Sequence, residues 1–266
     1  MSDDDFTIFE LLAQLIAYEL EAEDRLAERE AHLHVLEDFI AIATHDLRQP
    51  LTALSFRAQL LQRRIHQNQA DGLSKIIDDL VSDVHRTLRL SELLLDTARI
   101  ESGNFTMDTS GFDLAERARE IARDVSSAAV DHQIEIDAPV SLPIIADAQR
   151  IEQVLRNILD NAVKYVPSDA GPISLRVWSD SCGSVSQAYI QIQDRGEGVS
   201  EDELGLLFDR QFRAASAVQR GKTGSGIGLY IARKIVEAHG GSIVAQHTPG
   251  GGLTVELNLP DLTNTT

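Results

Sequence analysis

Through the first hundred residues, apolar side chains return every three or four positions, the spacing that gathers them on one face of an α-helix. From Leu33 the series runs Leu36, Ile40, Ala43, Leu47, Leu51, Leu54, Ala58, Leu61 and Ile65. The segment His66-Gln-Asn-Gln-Ala-Asp-Gly72 breaks the series and predicts a turn. A second series follows, with Leu73, Ile76, Leu80, Val84, Leu88, Leu94 and Ala98. Two long helices joined by a short loop predict an antiparallel hairpin. A hairpin alone has too little to bury its stripe against, so two copies are expected to pair as a four-helix bundle, making the protein a homodimer. Upstream, Phe6 to Glu30 also reads as helix and ends in a charge cluster of Glu21, Glu23, Asp24, Arg25, Glu28, Arg29 and Glu30. That segment fits a solvated extension of the bundle and a signalling helix below a sensor equally well.

After Ser102-Gly103-Asn104 the period changes. The runs Ile134–Ile136, Ile173–Trp178 and Tyr189–Gln193 alternate as strands do, and Leu253–Leu259 predicts the last strand. Between them, Leu114–Val125, Ala148–Val166 and Gly228–His239 keep a helical period. The reading is an α+β chain in three parts: an N-terminal helix or coiled coil over 1–31, a helical hairpin over 32–103, and an α/β two-layer sandwich over 104–266.

The length of 266 residues suits such a division, and 43% hydrophobic with 25% charged residues is the balance of a folded chain. A formal charge of −18 disfavours a nucleic-acid partner. Only Lys75, Lys164, Lys222 and Lys234 are lysines, so arginine supplies the other basic residues. Glu10, Gln14 and Glu19 interrupt the most apolar stretch, Phe9–Leu20, and no membrane-spanning segment is expected. The acidic start, Ser2 to Asp5, is unlike a signal peptide, and the chain reads as cytoplasmic. A single cysteine, Cys182, excludes an internal disulfide and a cysteine-built zinc site within one chain.

Four motifs carry candidate chemistry. In Thr44-His45-Asp46-Leu47-Arg48-Gln49-Pro50-Leu51 the proline crowds the carbonyl of Asp46, which predicts a bend beside His45. A carboxylate neighbour can hold an imidazole in one tautomer and leave the other nitrogen free to attack, although a surface histidine is the ordinary alternative. In Asn157-Ile-Leu-Asp-Asn161-Ala-Val-Lys164-Tyr165, the two amides and the lysine share one helical face. Amide oxygens beside a lysine suit a magnesium–phosphate pair; a solvated polar face is the plain alternative. Asp194-Arg-Gly196-Glu-Gly198 follows a strand, where the carboxylate can accept from an exocyclic amine and the glycines let backbone approach a planar ring. An ordinary Asp-Gly turn would look the same. Gly221-Lys-Thr-Gly224-Ser-Gly226-Ile-Gly228 opens a helix whose N–H groups and dipole suit an anion. The order of Lys222 and the glycines is not that of a Walker loop, and Ala214–Thr223 reads as a mobile flap.

In this order and spacing the four motifs resemble the sensor histidine kinases of two-component signalling, over about residues 32–260. The resemblance implies a dimerisation and phosphoacceptor hairpin followed by an ATP-binding domain of the gyrase–histidine kinase type. It makes His45 the phosphoacceptor, attacking the γ-phosphate of ATP through Nε2, with Asp46 orienting the ring. It makes Asn161 the Mg²⁺ ligand supported by Asn157, places Lys164 on phosphate and Tyr165 near adenine, and gives Asp194, beside Gly196 and Gly198, the adenine amino group. Phe208 and Phe212 match the family's phenylalanine box, Arg213 is placed to touch the γ-phosphate, and Gly224, Gly226 and Gly228 close the flap. The implied partners are a second copy, the receiver domain of a response regulator and an upstream sensor.

The chain departs from the family at Gln49, where threonine or asparagine is usual and phosphatase activity is at stake. It departs again at Leu253, where a small hydroxyl residue is expected after the last glycine. The histidines outside the motif, His239 among them, read as surface or packing residues. An ATPase clamp of gyrase or mismatch-repair type shares the asparagine and glycine motifs but has no use for His45 and Pro50 in a hairpin. A degenerate kinase acting as a dimeric scaffold is the non-enzymatic alternative.

Overall fold

A computed structural model describes residues 47–48, 50–67, 72–102, 104–129, 131–182, 185–221 and 226–260. His45, Asp46, Gln49, Lys222 and Gly224 lie outside the described residues, as do the N-terminal helix and the bend expected beside His45. The chain divides into two compact units, Met1–Leu94 and Leu95–Thr266.

In the first unit, α1 (residues 50–66) and the start of α2 (Leu73–Glu101) form the hairpin, with the turn before α2 closing on Gly72 at φ +76°. Arg57 of α1 reaches across to the Asp79 carbonyl (3.1 Å) and to the Asp83 carboxylate. The expected inner series is met in part: Ile76 and Leu94 are 9% and 7% exposed, whereas Val84 and Leu88 of the same series face outward. With Ile77 and Val81 beside them, Val84 and Leu88 make an apolar arc that is 41–56% exposed. Among its described residues the hairpin thus leaves much of its apolar stripe exposed.

The second unit builds its core on a five-stranded sheet of order β2-β4-β5-β7-β6. Its strands are β2 (Ile134–Asp137), β4 (Ile173–Cys182), β5 (Val185–Gln193), β6 (Ser242–His247) and β7 (Leu253–Pro260). β2 and β4 are parallel and the remaining pairs antiparallel. Alternation selects the inner face: Ile173, Leu175, Val177, Ala188, Ile190, Ile192, Val255, Leu257 and Leu259 are buried. The outer face carries polar pairs such as Gln191–Glu256 and a stacked Trp178–Tyr189 pair with ring centroids 5.3 Å apart.

Helices α3 (Leu114–Ala128), α4 (Ala148–Tyr165) and α7 (Gly228–Ala238) cover the inner face, giving the two-layer sandwich expected from sequence. Asp113 caps α3 by accepting from Glu116 N–H, and Asp147 caps α4 by accepting from Gln149 and Arg150 N–H. Val166 turns extended before Pro167, where α4 ends. The structure adds elements that the pattern did not show. β1 (Ser110–Asp113) pairs with β3 (Pro143–Ala146) in a separate ribbon, each too short to alternate, and α5 (Glu201–Leu204) and α6 (Ala215–Gln219) are single turns. Among the described residues no helix is long and apolar enough to cross a membrane.

Candidate active site

Helix α4 presents two adjoining faces. Ile151, Val154, Leu155, Ile158, Leu159 and Ala162 form its buried stripe. Asn157, Asn161 and Lys164 lie along the edge of that stripe, half-buried, as their spacing of four and three predicts. Asn157 Nδ2 donates to the Gly228 carbonyl at 3.1 Å, which joins the middle of α4 to the first residue of α7. Lys164 Nζ lies 3.1 Å from the Tyr165 hydroxyl and 4.7 Å from the centre of that ring.

β5 ends at Gln193, and Asp194 follows in a loop pinned by backbone donors. Its Oδ1 accepts from Gly196 N–H at 2.8 Å and Leu253 N–H at 3.1 Å. Burial pushes the Asp194 carboxyl above its ordinary value, against the opposing pull of those two donors. A Cβ at Gly196 would stand 3.3 Å from Val166 Cγ2 and 3.7 Å from the Tyr165 carbonyl, so this loop runs directly over the end of α4. Gly198, at φ +69°, faces Gly252, at φ +108°, whose own Cβ would collide with the Asp194 carbonyl. The departure at Leu253 does not cost Asp194 its partner, because the donor there is backbone N–H.

The phenylalanine and glycine motifs interlock. Phe208 is buried, and Gln211 takes φ +62°, a left-handed conformation uncommon for a residue with a side chain. Gln211 N–H donates to the Gly226 carbonyl at 3.0 Å. A Cβ at Gly226 would lie 2.6 Å from the Gln211 carbonyl carbon and 2.7 Å from the Phe212 oxygen, so only glycine fits. Phe212 and Arg213 are half-buried beside this contact. Ile227, fully buried, anchors the start of α7, whose first N–H groups have no intrahelical acceptor. At the base of the expected flap, Glu203 accepts from Ala215 N–H at 2.8 Å and from Ser200 N–H at 3.2 Å. These donors hold the Glu203 carboxyl below the usual carboxylate range.

The structure therefore brings Asn157, Gly228, Tyr165, Gly196, Asp194, Gly198, Phe212 and Gly226 into one connected arrangement, with Asn161 and Lys164 on the same face of α4. His45, Asp46, Lys222 and Gly224 are not among the described residues. Sequence reading missed a polar cluster near the start of α4. Asp96 Oδ2 receives Arg150 Nη1 at 2.6 Å and Gln153 Nε2 at 2.7 Å, and the Arg150 guanidinium lies 4.9 Å from the Phe105 ring centre. Asp96 stands across α2 from Leu94 and Ala98, where periodicity places a solvent-facing residue, so the pattern held no signal for it.

Comparison with known proteins agrees with this geometry. Residues 35–103 match the family model of the His Kinase A (phospho-acceptor) domain. Residues 146–263 match that of the histidine kinase-, DNA gyrase B-, and HSP90-like ATPase. Sensor protein KdpD of Clostridium acetobutylicum is 31% identical over 218 residues, covering 82% of this chain and 24% of its own length. The signal transduction histidine-protein kinase AfsQ2 of Streptomyces coelicolor is 29% identical over 247 residues, 90% of this chain and 44% of that protein. The chain thus spans less than half the length of these relatives. The structure of the Acinetobacter baumannii histidine kinase AdeS shares the fold, with a TM-score of 0.58 at 23% identity, over 82% of this chain and 98% of that one. A phosphoacceptor domain and an ATP-binding domain follow one another along a single chain, which therefore belongs to the histidine kinase family.

Proposed function

We propose that this chain is the autophosphorylating core of a two-component system, in which ATP held by the second unit phosphorylates His45 and the phosphoryl group then passes to an aspartate of a response regulator. The supporting observation is the convergence of three separate motifs, on α4, on the loop after β5 and at the start of α7, through the Asn157–Gly228 bond and the packing of Gly196 on Tyr165 and Val166. Asp194 reads the adenine amino group: both of its backbone donors end on Oδ1, which leaves Oδ2 to accept the amine. Gly196 and Gly198 let the backbone approach the base, beside Tyr165. Asn161, supported by Asn157, offers the hard amide oxygen that Mg²⁺ prefers, and the ion supplies charge neutralisation at the phosphates. Lys164 and Arg213 add positive charge in a chain of net charge −18.

In the transfer, the Nε2 lone pair of His45 forms the N–P bond as the γ-phosphorus–oxygen bond to ADP breaks, and ADP departs with that electron pair. Asp46 orients the imidazole and helps draw off its proton. A second copy covers the exposed apolar arc of α2, so the working unit is a cytoplasmic homodimer. Incubation with γ-labelled ATP tests this reading. Wild-type protein should take up acid-sensitive label, and His45→Gln should abolish it. Phosphate release with no labelled protein would assign the chain to the clamp ATPases instead.

A further inference from the structure

His239 closes α7, far along the helix from Gly228. Its Nδ1 lies 2.8 Å from the Ile235 carbonyl, and its Nε2 lies 3.0 Å from Asp147 N. The backbone N–H of Asp147 can only donate, so Nε2 is the acceptor and the ring proton sits on Nδ1. A neutral imidazole in that one tautomer satisfies both contacts. An imidazolium would set two donors face to face. Asp147 is itself the N-cap of α4, and its second carboxylate oxygen accepts from Asp108 N–H at 2.9 Å.

Helices α4 and α7 are thus clasped twice. Asn157 grips Gly228 at the nucleotide end, and His239 grips Asp147 about ten residues, or about 15 Å, away. Between the clasps the buried side chains are apolar: Ile151 and Leu155 on α4, Ile231 and Ile235 on α7. Apolar contact is non-directional and tolerates sliding, whereas two hydrogen bonds at opposite ends fix the register. Register matters here because Asn157, Asn161 and Lys164 stand on one helix and the anion-facing N-terminus on the other. The two sets must meet one triphosphate.

We propose that His239, as the Nδ1–H tautomer, is a positioning residue for nucleotide binding: it holds the N-cap of α4 against the end of α7 and so sets the spacing of the amide and glycine motifs. This rests on the nucleotide site proposed above and adds a residue that touches none of it.

The test uses the full chain. The imidazole ¹⁵N spectrum of the wild type should show His239 protonated at Nδ1; an Nε2–H signal would overturn the proposal without any variant. Mg²⁺–ADP is then titrated calorimetrically, well below each protein's melting temperature, into the wild type, His239→Gln and His239→Phe. Glutamine keeps an oxygen acceptor for Asp147 N–H, while phenylalanine keeps the ring volume and removes the acceptor. Affinity should stay within about twofold for His239→Gln and fall about tenfold for His239→Phe, as for a buried donor left unmatched. A purely structural histidine would lower the melting temperature of His239→Phe and leave ADP affinity intact, which overturns the proposal. Equal loss in both variants does the same. Wild-type protein that fails to bind ADP would instead remove the nucleotide site and the proposal with it.

Discussion

The two units bury their apolar residues very differently. In the first, Ile76 and Leu94 are the buried hydrophobic side chains among the described residues, while Val84 and Leu88 are 41% and 56% exposed. In the second, α4 alone buries six, among them Val154, Leu155 and Leu159 at 0% exposure. One unit completes its core from its own chain. The other leaves an apolar face exposed among its described residues, and if the proposed second copy covers it, stability there should depend on protein concentration.

The largest effect that separates the two comes from matched truncations. Leu155→Ala should cost about 2–5 kcal/mol in chemical denaturation of the second unit, because a fully packed side chain leaves a cavity. The same change at Leu88 should shift unfolding of the isolated protomer by less than about 0.5 kcal/mol, as for a surface substitution. Light scattering should nonetheless show that Leu88→Ala weakens the dimer. Equal destabilisation by both substitutions would erase the distinction between the units.

A smaller effect is expected at Asp96, which ties the end of α2 to α4 within the second unit through polar contacts. Asp96→Asn keeps the shape and removes the charge facing Arg150, and should cost about 1.5–3 kcal/mol, the worth of hydrogen bonds to a charged group. Urea denaturation followed by near-ultraviolet circular dichroism reads this directly.

The smallest effect is a pH dependence at Asp194. Burial raises its carboxyl in the folded protein, so the native state holds the proton to a higher pH than the unfolded chain. Stability from this group therefore declines as pH rises from the usual carboxylate range through the raised value, and is level above it. Asp194→Asn removes that titration while its amide oxygen still accepts from Gly196 and Leu253. The variant should melt slightly above the wild type at neutral pH, lose that advantage in acid, and fail to bind ADP at either. A wild type that gains stability across the window would contradict the sign.

Much of this was legible in the sequence because the informative residues obey a period. The α4 stripe fixes where Asn157, Asn161 and Lys164 point, and alternation along β4, β5 and β7 selects the inner face of the sheet. What stayed hidden depends on contacts distant in the chain. β1 and β3 are four residues each and exist by pairing with one another, so neither has a signal of its own. His239 reads as a packing residue until Asp147, 92 positions earlier, is set against its ring. Asp96 is concealed for a different reason: it occupies a face of α2 that the hairpin leaves to solvent, and its partners come from α4.

Gly252 carries a consequence for how related sequences are read. The atom that any side chain there would strike is a carbonyl of the protein itself, Asp194 O, whereas a Cβ at Gly205 would meet nothing. An invariant glycine at 252 among sister proteins would therefore record a steric demand of the fold, and would persist even in a lineage that had abandoned its nucleotide.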